Sequence, residues 1–165
     1  MADVQLTILD EIAARLANIT IANGYRFSLD ANAIKRASLT PFRTGDLPAI
    51  NYWPVADEKV DKQNGMEMKE LGITIEIYDV TRDEPFTDLG TKRGNDVATA
   101  LFRSTSLPAV SDAVDPALGG LVSELSVNSL VPIISEGSSP WCGALLDVTV
   151  KYNITLGDFS AVTNF

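Results

Sequence analysis

The stretch ALLDVTVKYNITL at residues 144–156 alternates between apolar and polar side chains, with Leu145 as the one exception. A repeat of two residues indicates an extended strand that has one face on a core and the other in water. The face predicted to be buried holds Ala144, Leu146, Val148, Val150, Tyr152, Ile154 and Leu156. We therefore expect a long strand to close the fold near the end of the chain.

The chain opens on a different period. Apolar residues return every four positions, which predicts an amphipathic helix. They are Val4, Ile8, Ile12 and Leu16. The polar face of this helix is expected to be exposed and holds Asp10, Glu11, Arg15 and Asn18. Asp3 is the predicted N-cap, and Asn23-Gly24 is expected to end the helix because both residues tolerate positive φ.

Between these two elements the sequence predicts further strands. They span residues 25–37, 49–53, 66–80 and 121–134. Pro54 is expected to end the second of them, because proline lacks the N–H that a central strand needs. Met66 and Met68 are out of phase with the apolar residues from Leu71 onward, so a bulge is expected over residues 69–71.

A second helix is predicted over residues 88–103, with Asp88 as its cap and Val97, Ala98, Leu101 and Phe102 as its buried stripe. Gly90 and Gly94 are expected to weaken its first turns. The charged segment 56–65 is interpreted as a solvated surface loop or a hairpin tip, and 107–120 as a loop. The simplest packing of this order is α+β, a mainly antiparallel, mixed sheet of about five strands with two helices on one face.

Composition narrows the class of protein. With 165 residues, 45% of them hydrophobic, we expect a single domain over 1–165 that ends in a short C-terminal tail, 158–165. The single cysteine, Cys142, excludes an internal disulfide and suggests a reducing compartment. No apolar run predicts a membrane span, and the start Met1-Ala2-Asp3 does not resemble a secretion signal. The net charge of −9 argues against a tight wrap around duplex DNA.

The residue types present in the chain give little support for a catalytic function. The chain has no histidine, which removes the commonest general base near neutral pH. Cys142 has no such base to activate it and is predicted to be a buried or half-buried, inert thiol. Asp79, Asp83 and Glu84 follow a predicted strand, where they form either a solvated strand end or a site for a hard cation. We therefore predict no enzyme, no cofactor and no metal.

Aromatic residues beside loops are the remaining candidates for function. Trp53 precedes Pro54 and Trp141 follows Pro140, while Phe42-Arg43 and Phe86 lie in or next to predicted loops. Each aromatic residue either caps the core or anchors a protein interface, and the sequence leaves both readings open.

Several pieces of the chain stand in a recognisable order. They are the helix ILDEIAARL at 8–16, the segment DLPAIN at 46–51, the strand ITIEI at 73–77, the helix DVATAL at 96–101, and the closing strand followed by Gly157-Asp158. Together they resemble the tail terminator, or tail completion, proteins of long-tailed bacteriophages. The likeness covers nearly the whole chain, although each piece is short.

This resemblance implies a structural protein of the virion. Such proteins form a ring, expected to be a hexamer, on the finished tail tube, where the ring stops tube polymerisation and offers a surface for head attachment. The implied partners are further copies of the chain, the tail tube protein and the head–tail connector or head-closure protein. Viral DNA would pass through the lumen without specific binding, and an acidic lining would keep it from sticking. The expected location is the head-proximal end of the tail, after assembly in the host cytoplasm and without a membrane.

The resemblance also makes the segments 56–65 and 107–120 candidates for contacts with neighbouring subunits and the tail tube. Together with the aromatic residues beside loops, the candidate interface residues are Phe42, Arg43, Trp53, Asp57, Glu58, Phe86 and Trp141. Two other functions stay open, namely a head-closure, neck or other minor tail protein, and an enzyme that uses Asp79, Asp83 and Glu84 with a divalent cation.

Overall fold

The computed structural model describes residues 3–80, 84–105, 113–134 and 141–163. It has two helices, α1 (Val4–Ala17) and α2 (Phe86–Leu101). Its strands are β1 (Ile34–Arg36), β2 (Ala49–Gln63), β3 (Met66–Val80), β4 (Glu124–Ile134) and β5 (Trp141–Thr155). They form a five-stranded sheet in the order β1-β2-β3-β5-β4, in which β1 and β2 pair in parallel and all other pairs are antiparallel. The predicted α+β class with a mainly antiparallel sheet is confirmed.

The core lies between the two helices and one face of the sheet. Even-numbered residues of β5 from Cys142 to Ile154 are buried, as the alternation predicts. They share this face with odd-numbered residues of β3, because Ile73 pairs with Val148 and Ile75 with Leu146. The apolar stripes of α1 and α2 join the same cluster of buried side chains. Burial of this continuous apolar surface is the main force that holds the helices on the sheet.

The predicted strand over 25–37 is largely wrong. Only Ile34–Arg36 is a strand, and short 3-10 turns form at Ile21–Asn23 and Ala31–Ala33. The alternate residues Phe27 and Leu29 are buried, but in an irregular segment whose next turn is capped by the Asp30 carboxylate. The alternation of apolar and polar residues correctly indicates which side chains are buried here. It does not indicate a strand, because no neighbouring strand pairs with this segment.

Of the two readings of the charged segment 56–65, the hairpin tip is confirmed and the surface loop is wrong. β2 continues to Gln63, and the turn to β3 is made by Asn64 and Gly65, both at positive φ (52° and 79°). That backbone suits an Asn-Gly turn between two antiparallel strands. Pro54 does not end β2, because a register shift between Pro54 and Ala56 accommodates it.

The predicted bulge over 69–71 is wrong. β3 pairs with β5 in unbroken register from Met66 to Val80, and the irregularities lie in the β2 register instead. Met66 and Met68 are out of phase because they point to the other face of the sheet, where they are half-buried.

Several other boundaries and two facings differ from the predictions. α1 ends at Ala17, before the predicted stop at Asn23-Gly24. α2 begins at Phe86 with Pro85 and not Asp88 as its N-cap, and it ends at Leu101, while β4 begins at Glu124. Leu156, predicted on the buried face, follows the end of β5 and is 49% exposed. Arg15, expected in solvent, is almost fully buried between the helices.

The C-terminal tail folds back on its own chain, because Val162 bridges to Ile154 and the Phe159 carbonyl accepts a hydrogen bond from the Val4 N–H. Residues 107–112 of the predicted loop lie outside the described residues.

Candidate interaction surface

The sheet face opposite the helices, called the open face below, is left uncovered by the described helices. In the central strands it consists of the even-numbered residues of β3 and the odd-numbered residues of β5. Its apolar end combines Tyr78, Val131, Ile133, Trp141 and Leu145, most of them half-buried. Its middle is polar and holds Thr74, Asp147, Thr149 and Ser129. Apolar side chains in a contiguous, partly exposed patch are typical of a protein interface.

Three aromatic rings meet at the apolar end. The Tyr78 ring lies 5.9 Å from the Phe42 ring and 4.9 Å from the Trp141 ring, centroid to centroid, and the second pair packs edge to face at 86°. Both separations fall in the range that aromatic pairs prefer. The rings border an open pocket of about 400 Å³ whose lining also includes Leu39, Pro41, Leu47, Asn51 and Glu76. We call this the aromatic pocket.

One wall of the aromatic pocket is a loop that the half-buried side-chain amide of Asn51 holds in place. The Asn51 side chain accepts a hydrogen bond from the Ser38 N–H (2.9 Å) and donates one to the Ser38 carbonyl (3.0 Å). These two bonds fix the start of the 38–47 segment against β2. Phe42, which lies further along this segment, packs against the edge of the core. The wall of the aromatic pocket is therefore held in place by hydrogen bonds and packing within the chain.

Glu76 is the charged side chain among the residues that line the aromatic pocket. It is half-buried, and burial raises the pKa of its carboxyl above the usual value. The Tyr78 hydroxyl donates a hydrogen bond to it. Among the described residues, no lysine or arginine forms an ion pair with Glu76. The pocket therefore presents negative charge within an aromatic wall.

The structure brings together only part of the predicted interface residues. Phe42 and Trp141 both border the aromatic pocket. Trp53 lies on the open face as well, but opposite Thr74 and therefore further along the sheet. Arg43 is exposed beside Phe42, and Phe86 lies in the first turn of α2 on the helix side of the sheet.

Asp57 and Glu58 lie in the outer part of β2. The Asp57 carboxylate is held within the chain by the Lys69 ammonium (2.6 Å), the Tyr152 hydroxyl (2.8 Å) and the Gln5 amide. Burial, together with the hydrogen bond from the Tyr152 hydroxyl to Asp57, raises the pKa of Tyr152. Glu58 is exposed and faces Glu70 across the strands. Asp57 thus joins α1 to the sheet, while Glu58 remains on the surface.

Two of the three carboxylates predicted as alternatives for a cation site, Asp79 and Glu84, form ion pairs within the chain. Asp79 is only 1% exposed and pairs with the Arg93 guanidinium at 2.7 Å, so the expectation of a solvated strand end is wrong for this residue. Glu84 pairs with Lys92 at 2.6 Å, and Asp83 lies outside the described residues. Within the described ranges, no three His, Cys, Asp or Glu side chains are grouped so that they could hold a metal ion. Cys142 is buried, as predicted.

Sequence reasoning missed Glu76, Tyr78 and Asn51 as members of one site. The alternation over residues 73–80 does assign Glu76 and Tyr78 to the face away from the core. What the sequence could not supply was the pairing of β3 with β5, which brings Trp141 opposite Val80 and therefore next to Tyr78.

The fold and this surface define the chain as an α+β domain with an aromatic, acidic pocket at one end of an uncovered sheet face. Comparison with protein-family models and with curated proteins finds no match. No described helix is long and apolar enough to cross a membrane.

Proposed function

We propose that this protein is a structural component of a phage virion that caps the tail tube as a ring, stops tube growth and provides the surface for head attachment. The observation that carries the proposal is the open face, because its apolar end offers half-buried aromatic and aliphatic side chains to a partner. Aromatic anchors of this kind are typical of protein interfaces. The α+β architecture agrees with the resemblance to tail terminator proteins.

The placement of the charged side chains supports a structural role. Asp79, Asp57 and Asp115 pair with Arg93, Lys69 and Arg15, and each pair joins separate segments of the chain. Carboxylates held in this way hold segments of the fold together, which supports a structural role.

Acidic residues from Ser104 onward are the candidates for a lumen that repels DNA. Asp115 and Glu124 are paired with Arg15 and Lys151, whereas Asp147 and Asp158 are exposed. Asp112 and Glu136 lie outside the described residues. A DNA-facing lining would therefore draw on Asp147 and Asp158 among the described carboxylates.

The test is electron microscopy of the purified protein, alone and with tail tubes. We expect rings with a central hole that bind one end of the tubes, and particles made without the gene should carry tails of uncontrolled length or lack heads. A protein that stays monomeric and never binds tubes, or normal particles without the gene, contradicts the proposal. Antibody labelling of particles separates the tail end from a neck or head-closure position.

A further inference from the structure

The aromatic pocket has the chemistry of a site for a cation. Its wall combines the rings of Phe42, Tyr78 and Trp141 with the carboxylate of Glu76. Aromatic faces attract ammonium and guanidinium groups through the ring quadrupole, and a carboxylate adds direct charge attraction. A neutral apolar guest would bury Glu76 without a partner charge, which is costly, and an anion would be repelled. A lysine or arginine side chain supplies both the positive charge that pairs with Glu76 and the cation that the aromatic rings attract.

The chain itself carries exposed cations far from this pocket. Lys59 and Lys62 lie in the outer part of β2, are exposed, and form no ion pair within the described residues. Across the strands Lys62 faces Glu67, and Lys59 faces Lys69, whose ammonium is paired with Asp57. The exposed ammonium groups of Lys59 and Lys62 therefore remain available to a carboxylate brought by a partner.

The two surfaces lie at opposite ends of the sheet. Lys59 and Lys62 stand opposite Lys69 and Glu67, which lie seven and nine residues from Glu76 along β3, or about 23 and 30 Å at the rise of a strand. A contact between opposite ends of identical subunits is heterologous, and such contacts close into rings when the rotation permits. The exposed cations Lys35 and Arg43 lie near the pocket itself, so their entry into a partner's pocket would produce a two-fold dimer instead.

We propose that the aromatic pocket binds a lysine side chain, Lys59 or Lys62, from the β2–β3 hairpin of a second copy of this chain. This inference rests on the proposed ring and adds to it the two surfaces that meet. The Glu76 carboxylate receives the ammonium group, and the rings of Phe42, Tyr78 and Trp141 pack around the stem of the lysine.

The test compares assembly of four forms of the full chain by mass photometry over a range of concentrations. They are the natural chain, Glu76→Gln, the double variant Lys59→Glu/Lys62→Glu, and the double variant Arg26→Glu/Lys92→Glu, two exposed residues on the helix side of the sheet, as a control with the same change of net charge. Glu76→Gln and Lys59→Glu/Lys62→Glu should each weaken association roughly tenfold or more, the effect of losing a charge-assisted hydrogen bond. The control should assemble as the natural chain does.

Folding is separated from association by two further measurements. Glu76→Gln removes a half-buried charge, so its melting temperature should equal or exceed that of the natural chain. Combining Glu76→Lys with Lys59→Glu/Lys62→Glu reverses both charges and should restore assembly that each change alone abolishes.

The outcomes distinguish this inference from the proposed function. Rings that survive the Lys59→Glu/Lys62→Glu change, or that the control dissolves equally, overturn the inference and leave the ring function standing. A dimer that Arg43→Glu abolishes also overturns it, because the pocket then takes a side chain from its own end of the sheet. A natural chain that stays monomeric at every concentration and does not bind tail tubes overturns both.

Discussion

The guanidinium of Arg15 lies in the interior where α1, the end of α2 and the 113–120 segment meet. It donates hydrogen bonds to the Leu101 carbonyl (2.7 Å) and the Asp115 carbonyl (3.0 Å), and it pairs with the carboxylates of Asp115 (2.6 Å) and Glu11 (3.0 Å). Leu101 is the last residue of α2, whose carbonyl has no partner within the helix. One side chain thus satisfies a helix end and ties three segments together.

Arg15→Met is expected to lower the free energy of unfolding by about 3 kcal/mol, because it leaves a partly buried carboxylate and a helix-end carbonyl without partners. Arg26→Met is the matched control, since the Arg26 side chain is 52% exposed and its pair with Asp96 is long at 3.6 Å. That control should cost less than 1 kcal/mol. Urea denaturation measures both, and equal losses would contradict the role of Arg15.

The pH dependence of stability should report Asp115. Burial alone would raise the pKa of its carboxyl, but hydrogen bonds from Arg15, Gly119 and Ala117 together lower it. A carboxyl whose pKa is lower in the folded protein than in the unfolded chain stabilises the fold at pH values above the ordinary pKa of aspartate, near 4. This stabilisation is lost as the pH falls through the pKa of the folded state. Asp115→Asn should therefore destabilise the protein at pH 6 and approach the natural chain as the pH falls through the lowered pKa of Asp115 in the folded state. A difference that stays constant with pH would contradict this assignment.

At the scale of an element, α2 approaches β5 more closely than a side chain would allow. A Cβ atom at Gly90 would lie 2.2 Å from the Gly143 carbonyl oxygen, which is part of the backbone and cannot swing away. The sequence suggested only that Gly90 weakens the helix. Its place in the structure shows that it sets the distance between helix and sheet.

Gly90→Ala is therefore expected to lower the free energy of unfolding by about 3 kcal/mol, because the added methyl group overpacks the contact between helix and sheet. In an exposed helix position the same substitution would usually stabilise the protein. Gly45→Ala is the control, because nothing lies within 4 Å of its Cβ position and its φ is ordinary. Thermal unfolding of the two variants checks the contact. A stabilised Gly90→Ala protein would show that α2 does not pack this closely.

The facing of β5 is tested by two neighbouring substitutions. Val148 is fully buried, so Val148→Asp should cost about 3 kcal/mol or more for an unpaired buried carboxylate. Thr149 lies on the open face, so Thr149→Asp should have a small effect. Equal melting temperatures would overturn the assigned facing.

Periodicity predicted those elements whose burial follows one regular face, namely α1, β3 and β5. It failed where another force decided the conformation. Residues 25–33 bury alternate side chains without strand partners, and the outer part of β2 is a strand because β3 pairs with it, despite its charged residues. The aromatic pocket depends on the order of strands in the sheet, which local pattern does not contain, so only Phe42 and Trp141 of its members were anticipated as interface residues.

At the scale of the whole molecule, the sheet divides the surface into a helix side and the open face. Exposed apolar residues occur on both, with Leu6 on α1 and Val131 on β4 at 48% and 51% exposure. Single exposed apolar side chains are ordinary on soluble proteins. Val131 differs because it is paired with Leu145 at the apolar end of the open face.

Val131→Lys should abolish assembly, because it places a charge where the proposed interface excludes water, while Leu6→Lys should leave assembly intact. The two substitutions match in residue class, exposure and charge change, so they compare the two sides of the molecule directly. Mass photometry gives the size distribution, and the melting temperature of each variant verifies that it folds. Loss of assembly in Leu6→Lys alone would place the contact on the helix side, and the aromatic residues of the open face would then need another partner.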